Sequence, residues 1–438
     1  MRALEQRSSA GRGQNVERIP GGHYTATSMK TGDGSARLMR PFGELIPFRQ
    51  ALQLTFDLAA QVEGTELLPP ELAAGRVLAA PVLAPVDVPL SDRGAMDGYA
   101  VRATDLASVE PGNPTELRSI ERVFAGDLPR ATVVEGTCVE IATGAPLPAG
   151  ADAVVPVEQT SPTADGIEFL ATARPGQHIV ARGDDLAPGD LLAAQDSVIK
   201  PSLVAALAAA GVEAVEIWRR PRVLILPTGN ELVPPGQPLG PAQVYDSNSA
   251  GLEALLLENG AEAERGDIVG DASDALRSQL GRSEFDLTIT LGGSSVGRHD
   301  LVSDVVGEMG EVLVHGVAVK PGKPLLLARI DERPIVGLPG FPTSCLLLAY
   351  RVVEPMVRRM ARLEGGNRKR RCVELAEDVR SPRGKHQLLT VVVEGDRARS
   401  AFRTSSTITS MSQAVGWIEI EAAVDLIPSG TAVEVTLF

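Results

Sequence analysis

The sequence is poor in residues that several function classes require. Its three cysteines, Cys138, Cys345 and Cys372, lie far apart with no C-x-x-C pair. That excludes a disulfide framework or a zinc ribbon and fits a reducing, cytoplasmic setting. Aromatic residues make up 3% of the chain, too few for the stacking platforms that hold single-stranded nucleic acid. Positive charge is outnumbered, with 42 Lys and Arg against 56 Asp and Glu and a net charge of −14. A phosphate backbone is repelled by such a surface, so no nucleic-acid partner is expected. No apolar run reaches the roughly 18 residues of a membrane span, so no membrane partner is expected either. The most Ala-rich stretch, Leu203 to Ile217, is broken by Gly211, Glu213 and Glu216. His178, His299 and His315 read as isolated, with no pair at metal-ligand spacing and no local Ser/His/Asp signature.

What is present is ordinary globular material: 44% hydrophobic and 22% charged residues over 438, with 44 Gly and 32 Pro to supply turns. At roughly 150 residues per domain this suggests about three domains. Residues 1–40 differ from the rest. They carry seven basic and three acidic residues and few aliphatics, too little apolar area to offset the entropy of ordering. A disordered tail or an over-long start is expected, with Met29 or Met39 as alternative starts. The segment has no seven-residue apolar core of the secretory kind.

From Phe42 to Gln61 the apolar spacing predicts a helix, and a second helical piece is expected over Glu71 to Ala79, after Pro69-Pro70. Residues 81 to about 180 alternate short β-branched runs with Pro/Gly turns and read as a small β domain. Ser202 to Ala210 returns to helix and Val212 to Ile217 to extended chain. Over 221–361 strand-like and helix-like segments alternate: Arg222–Leu226, Ser249–Glu258, Asp286–Leu291, Leu301–Met309, Val312–Val319, Pro334–Leu338 and Thr343–Ala361. That order implies a doubly wound, parallel α/β sheet. Ligands of such sheets sit beyond the carboxyl ends of the strands, where the loops with chemistry are expected to lie. After the basic linker Gly365 to Arg370, Cys372 to Phe438 reads as a final β domain.

Four of those loops carry candidate chemistry. Gly292-Gly293-Ser294-Ser295-Val296-Gly297-Arg298-His299-Asp300 follows a strand and precedes a helix. Its backbone N–H groups suit an anion, while a tight β-α turn accounts for it equally well. Thr228-Gly229-Asn230-Glu231 ends the neighbouring strand. Glu231 with Asp300 supplies two carboxylates that suit Mg²⁺ held for phosphate chemistry; singly, each is explained as a loop charge or a helix cap. Lys320-Pro321-Gly322-Lys323-Pro324 offers two point charges to a tetrahedral oxyanion or phosphate, or is a structural turn. Gly337-Leu338-Pro339-Gly340-Phe341-Pro342-Thr343-Ser344-Cys345 starts a helix with Pro342 in its first turn and the Ser344 hydroxyl nearby. Cys345 reads as a buried small residue. In the β region, the stretches around Asp97-Gly98-Tyr99-Ala100, Thr143-Gly144-Ala145-Pro146 and Arg182-Gly183-Asp184-Asp185 are each compatible with turn chemistry alone.

Taken in order, these motifs resemble the molybdopterin molybdotransferase family, the MoeA-like molybdenum insertases related to the gephyrin E domain. The resemblance runs from about Phe42 to Phe438. Shorter adenylyltransferases that share the sheet domain lack the elements at Asp97 and Thr143. The resemblance implies a multidomain α/β plus β fold. Its parts would be a doubly wound, mostly parallel, molybdopterin-binding-like sheet domain over 218–365, an elongated helical/β domain from 41–80 and 181–217, a β insertion domain over 81–180, and a C-terminal β domain over 366–438. It implies a homodimer whose active site lies between the α/β domain of one subunit and the remaining domains of the other. It implies a cytoplasmic enzyme that inserts molybdate into adenylylated molybdopterin, with Mg²⁺, and releases AMP. Molybdoenzymes or their chaperones would be further partners.

By position, Asp97, Thr143, Glu231 and Asp300 would be catalytic, with Glu231, Asp300 and Asp271 around the metal. Substrate would be bound by Asp185, Gly292, Gly293, Ser294, Ser295, Gly297 and Pro339. Lys320, Lys323, Ser344 and Ser406 match positions associated with molybdate. The sequence departs from the family pattern in four places. Phe341 stands where asparagine is common, as in archaeal-type members, some associated with tungsten, so tungstate is an alternative oxyanion. Ser303 and Leu301 replace a lysine and a tyrosine. The position of a family arginine falls near Thr390, with Lys385 or His386 as possible compensation. These departures motivate a rival reading, a catalytically weak pterin-binding scaffold; a second rival is a molybdopterin adenylyltransferase.

Overall fold

A computed structural model describes residues 44–270, 272–293, 301–363 and 368–438. The proposed tail, Asp271, the loop from Ser294 through Arg298 and His299 to Asp300, and residues 364–367, which include the start of the linker, lie outside these.

The domain that positions the site is a six-stranded sheet in the order Glu262–Arg265, Arg222–Pro227, Leu287–Leu291, Arg333–Leu338, Leu326–Ile330, Glu311–His315. The first four strands run parallel, and Leu326–Ile330 runs against them, pairing antiparallel with both Arg333–Leu338 and Glu311–His315. The expected parallel sheet is therefore mostly parallel and mixed, because a short reversal at Asp331 and Glu332, both with positive φ, folds Arg333–Leu338 back on Leu326–Ile330. Alternating side chains feed two cores. Val223, Ile225, Leu287 and Ile289 pack on one face with the helices Ser247–Glu258 and Pro342–Leu348, while Leu224, Leu226 and Ala328 pack on the other with Leu276, Val302 and Val306. The central strand Leu287–Leu291 is buried along its whole length, as expected of a parallel strand covered on both sides.

Several expected elements change. Val312–Val319 is not one strand. Gly316, with φ +101°, breaks it into Glu311–His315 at the edge of this sheet and Val317–Lys320, which joins a different sheet. The helix starting at Thr343 begins one residue earlier and passes through a π turn at Ala349–Val353 before continuing as Glu354–Met360. The first helix is limited to Phe48–Leu58 by Pro47 and joins the core of the sheet domain through Phe48 and Ala51. Glu71–Ala79 is not helical. Only Pro70–Leu72 forms a 3₁₀ turn, because the chain after it is drawn into pairing: Ile199 N donates to Arg76 O and Leu78 N to Ser197 O.

The β region forms a sheet of six strands, Ala153–Pro156, Gly98–Val101, Thr137–Ile141, Thr115–Val123, Ile167–Phe169 and Thr160–Pro162. Tyr99, Val101 and Val155 face one core, and Ala100, Val139 and Val154 the other. The C-terminal region closes on itself. His386–Glu394 is followed across the sheet by Arg397–Ser400, Arg370–Leu375, Ala432–Leu437 and Gly416–Ile420, and the last of these pairs back onto His386–Glu394. Val373, Leu389, Val391, Ile418 and Val435 fill its interior. No helix among the described residues is long and apolar enough to cross a membrane.

Candidate functional site

The carboxyl ends of three neighbouring parallel strands open onto one cleft of about 700 Å³. Arg222–Pro227 delivers Thr228 and Glu231, Leu287–Leu291 delivers Gly292 and Gly293, and Arg333–Leu338 delivers Pro339, Gly340 and Phe341. The strand ends are tied together. Thr228 donates to Leu291 O through its N–H at 2.9 Å and its hydroxyl at 3.1 Å, and Gly292 N donates to Leu338 O at 3.0 Å. Gly293 has φ +67°, and a Cβ there would lie 2.7 Å from Thr228 Oγ1 and 2.8 Å from Val302 Cγ2. Only glycine brings the backbone this close to its neighbours.

A second wall comes from a segment that the sequence reading passed over. The short strands Leu232–Val233 and Val244–Tyr245 pair in parallel and lead Tyr245, Asp246 and Asn248 into the cleft. Asp246 caps the helix that follows by accepting from Ser249 N at 3.0 Å. Asn248 Nδ2 donates to Gly340 O at 2.8 Å and so fixes the loop opposite. The signal was the D-x-x-S spacing at Asp246, which reads first as a cap.

The third wall belongs to the C-terminal β domain. Ser406 and Ile408 line the cleft, beside Pro342 at the start of the cleft helix. Thr343 joins the two domains there: its N–H donates to Ser405 O at 3.1 Å and its hydroxyl to Thr407 O at 2.6 Å.

The structure thus brings together Glu231, Gly292, Gly293, Pro339 and Ser406. Ser344 is in the first turn of the same helix but is buried, and does not line the cleft. The lysine loop follows a strand of the other sheet, which corrects its expected place at a strand end of the α/β sheet. It still approaches the cleft, because the strand after it starts beside the end of Arg333–Leu338, and Pro324 lines the opening. Lys320 is exposed and Lys323 half-buried; neither lines the cleft. Asp271, Asp300, Ser294, Ser295 and Gly297 fall outside the described residues. Cys345 is fully buried, and burial together with Asp246 pushes its thiol above the usual range, as befits an inert core residue.

Asp97, Thr143 and Asp185 do not line this cleft. Asp97 and Thr143, at strand ends of the β region, meet each other: Asp97 Oδ1 accepts from Thr143 N at 2.6 Å and from Thr143 Oγ1 at 2.7 Å. These two bonds hold the Asp97 carboxyl below its ordinary range. Asp185 is exposed, its N–H bonded to Val88 O.

Two departures also find their places. Phe341 is 60% exposed and stands in the cleft wall. Thr390 is fully buried, on the strand His386–Glu394. Its proposed substitute His386 is engaged by Glu419 in a separate groove of about 610 Å³, so it does not supply the cleft with a cation; Lys385 does not line the cleft either.

Residues 46–211 match the MoeA N-terminal region (domain I and II), 224–359 the family described as "Probable molybdopterin binding domain", and 373–438 the MoeA C-terminal region (domain IV). The chain belongs to the MoeA family. It is 36% identical over 383 residues to molybdopterin molybdenumtransferase 2 of Mycobacterium tuberculosis (strain ATCC 25618 / H37Rv), covering 83% of this chain and 92% of that protein. It is 33% identical over 347 residues to the molybdopterin molybdenumtransferase of Nostoc sp., covering 77% and 80%. A solved MoeA protein of molybdopterin biosynthesis from Pyrococcus horikosii superposes with a TM-score of 0.78 at 35% identity, over 90% of this chain and 99% of that one. The α/β walls of the cleft lie within the 224–359 match, and Ser406 and Ile408 within the 373–438 match.

Proposed function

We propose that this cleft is where molybdate meets adenylylated molybdopterin, yielding molybdenum cofactor, AMP and water. The chain is a molybdopterin molybdenumtransferase of molybdenum cofactor biosynthesis. The observation that carries the site assignment is that Glu231 and Gly292-Gly293 of the α/β domain and Ser406 of the C-terminal domain line one cavity. One side of it suits a phosphorylated ligand and the other offers a hydroxyl to an oxyanion.

In this reading the Gly292-Gly293 turn places backbone N–H groups on the phosphates, and Ser294, Ser295 and Gly297 are further substrate-binding residues that the family resemblance suggests. Glu231, Asp271 and Asp300 would hold Mg²⁺. Of these, Glu231 is among the described residues, and its carboxylate at the cleft rim is the hard oxygen donor that this ion takes one or two of. Held there, Mg²⁺ would supply positive charge to the phosphate that departs. Ser406 lines the cleft and orients the oxyanion, Lys320 and Lys323 attract it from the loop beside the opening, and Ser344 backs the same wall from the buried first turn of the cleft helix; molybdate is the substrate and tungstate an alternative of like shape and charge. Asp97 and Thr143 complete the site from the second subunit of a homodimer, and Asp185 assists there; their lying away from this chain's own cleft supports that arrangement. Three unpaired cysteines support a reducing, cytosolic setting.

The test is incubation of the purified protein with adenylylated molybdopterin, Mg²⁺ and molybdate. Release of AMP with formation of cofactor is expected. Adenylylation of molybdopterin from ATP in its place would identify an adenylyltransferase, and neither activity would leave a pterin-binding scaffold.

A further inference from the structure

The wall that carries Ser406 is an exposed turn of the C-terminal domain, Thr404 to Ile408, built almost wholly from hydroxyl residues. Its interior bonds are local: Thr407 Oγ1 donates to Thr404 O at 2.8 Å, Thr404 Oγ1 and Ser406 Oγ are 2.9 Å apart, and Ser410 Oγ lies 2.7 Å from Thr407 Oγ1 while accepting from Arg403 N. Such a turn has its own shape but does not set its distance from the α/β domain. Thr343 supplies that registration. Fully buried in the first turn of the cleft helix, it gives its backbone N–H to Ser405 O and its hydroxyl to Thr407 O. The N–H is one of the first-turn donors that a helix cannot satisfy internally. The two acceptors stand immediately before and after Ser406, so the pair of bonds brackets that residue.

We propose that Thr343 is a positioning residue for the oxyanion side of the cleft. Its hydroxyl fixes the 404–408 turn so that the Ser406 hydroxyl stands at a set distance from the glycine loops where the phosphorylated ligand binds. This rests on the function proposed above. The cost of misplacing a donor by about 1 Å is paid mainly in productive binding of the group it contacts. Losing the Thr343 hydroxyl should therefore weaken use of the oxyanion and spare the pterin nucleotide.

The experiment is steady-state kinetics of AMP release for T343V, T343S, S406A and the double variant T343V/S406A, varying molybdate and adenylylated molybdopterin separately. T343V keeps shape and backbone N–H and loses one hydrogen bond. Its KM for molybdate should rise about tenfold, with the KM for adenylylated molybdopterin within about twofold of the wild type. T343S retains the donor and should behave as wild type, which tests the idea even if T343V folds poorly. Adding T343V to S406A should cost nothing more, because Thr343 acts through Ser406. An unchanged molybdate KM in T343V, an equal rise in both KM values, a tenfold rise in T343S, or additivity with S406A would each overturn the assignment. A wild-type enzyme that forms cofactor beside an unaffected T343V counts against Thr343 alone; a wild type that forms none counts against the function.

Discussion

Asp97 and Thr143 are 46 positions apart, yet one carboxylate oxygen of Asp97 accepts both the N–H and the hydroxyl of Thr143, at 2.6 and 2.7 Å. The arrangement fixes the direction of the carboxylate and keeps it charged, since both donors favour the ionised form.

The first prediction follows from that pair. Asp97→Asn should lower the rate of AMP release by about 10²–10³ if the charge acts on the transition state. Thr143→Val keeps the backbone N–H and removes the hydroxyl, so the Asp97 pKa should rise part of the way to its ordinary value. If the proposed role of the carboxylate holds, activity is lost as pH falls through the folded pKa. The acid limb of the kcat/KM profile should move to higher pH in Thr143→Val, with the neutral plateau little altered. An acid limb that stays in place in this variant would show that another group controls it.

The carboxylates and the lysines should separate in their response to molybdate. In the proposed site Glu231→Gln and Asp300→Asn would remove charge that serves the phosphates, so adenylylated molybdopterin should still bind but persist uncleaved, with a rate loss of about 10²–10³. Lys320→Ala and Lys323→Ala would, on the proposed roles, weaken ground-state attraction of the oxyanion, and excess molybdate should restore much of their rate. A titration of AMP release against molybdate at saturating Mg²⁺ makes the comparison. Rescue of the Asp300 variant with no rescue of the lysine variants would reverse the two assignments.

Much of this was legible in the chain, and the exceptions share a cause. Leu287–Leu291 was read to within a residue because a strand covered on both faces is apolar throughout. The edge strand Glu262–Arg265, with sequence EAER and charged residues exposed, gave no such signal. Glu71–Ala79 carries helical spacing, and only its long-range pairing with residues near 198 decides against it. The site divides the same way. Glu231 and the glycine turn stand at strand ends and are visible from local order. The meeting of Ser406 with the α/β domain, and of Asp97 with Thr143, depends on contacts between distant segments; family resemblance singles out the residues one by one but not these pairings. Asp246 and Asn248 were passed over because short polar residues before a helix are first explained as caps.

Away from the cleft, Glu419 predicts the acid behaviour of the fold. Burial raises its pKa, but the bonds and charges of His386 at 3.0 Å and Arg351 at 2.7 Å outweigh that and bring it from 4.5 to about 2. Trp417 Nε1 at 3.4 Å also faces it, and neighbouring Glu421 is paired with Arg49 at 2.6 Å. A depressed carboxyl stabilises the fold above its unfolded pKa, and that contribution fades as pH falls from 4.5 towards 2. Arg351→Met should raise the Glu419 pKa and move the midpoint of acid unfolding up by about half a pH unit. Stability at pH 7 should fall as well, because a partly buried charge loses a partner. Acid titrations followed by tryptophan fluorescence read the midpoint, and one that coincides with the wild type would mean that other carboxylates control acid unfolding.

The last prediction concerns the glycine turn. Gly293→Ala places a methyl 2.7 Å from Thr228 Oγ1 and 2.8 Å from Val302 Cγ2, at a backbone φ of +67° that an L side chain rarely adopts. The expected cost is about 1–3 kcal/mol of stability. Relief requires the turn to move away from Thr228, which is itself bonded to Leu291 O at the end of the central strand. The displaced backbone is the part of the cleft read as binding phosphate, so affinity for adenylylated molybdopterin should fall together with stability. Thr228→Ser offers a test of the cause, since it keeps the hydroxyl bonded to Leu291 while removing a methyl. In the Gly293→Ala background it should recover little, because the hydroxyl oxygen is the closer obstacle, whereas Thr228→Ala should recover more. Thermal unfolding and equilibrium binding of adenylylated molybdopterin measure both effects, and a Gly293→Ala protein with wild-type stability would show that the turn accommodates a side chain without moving.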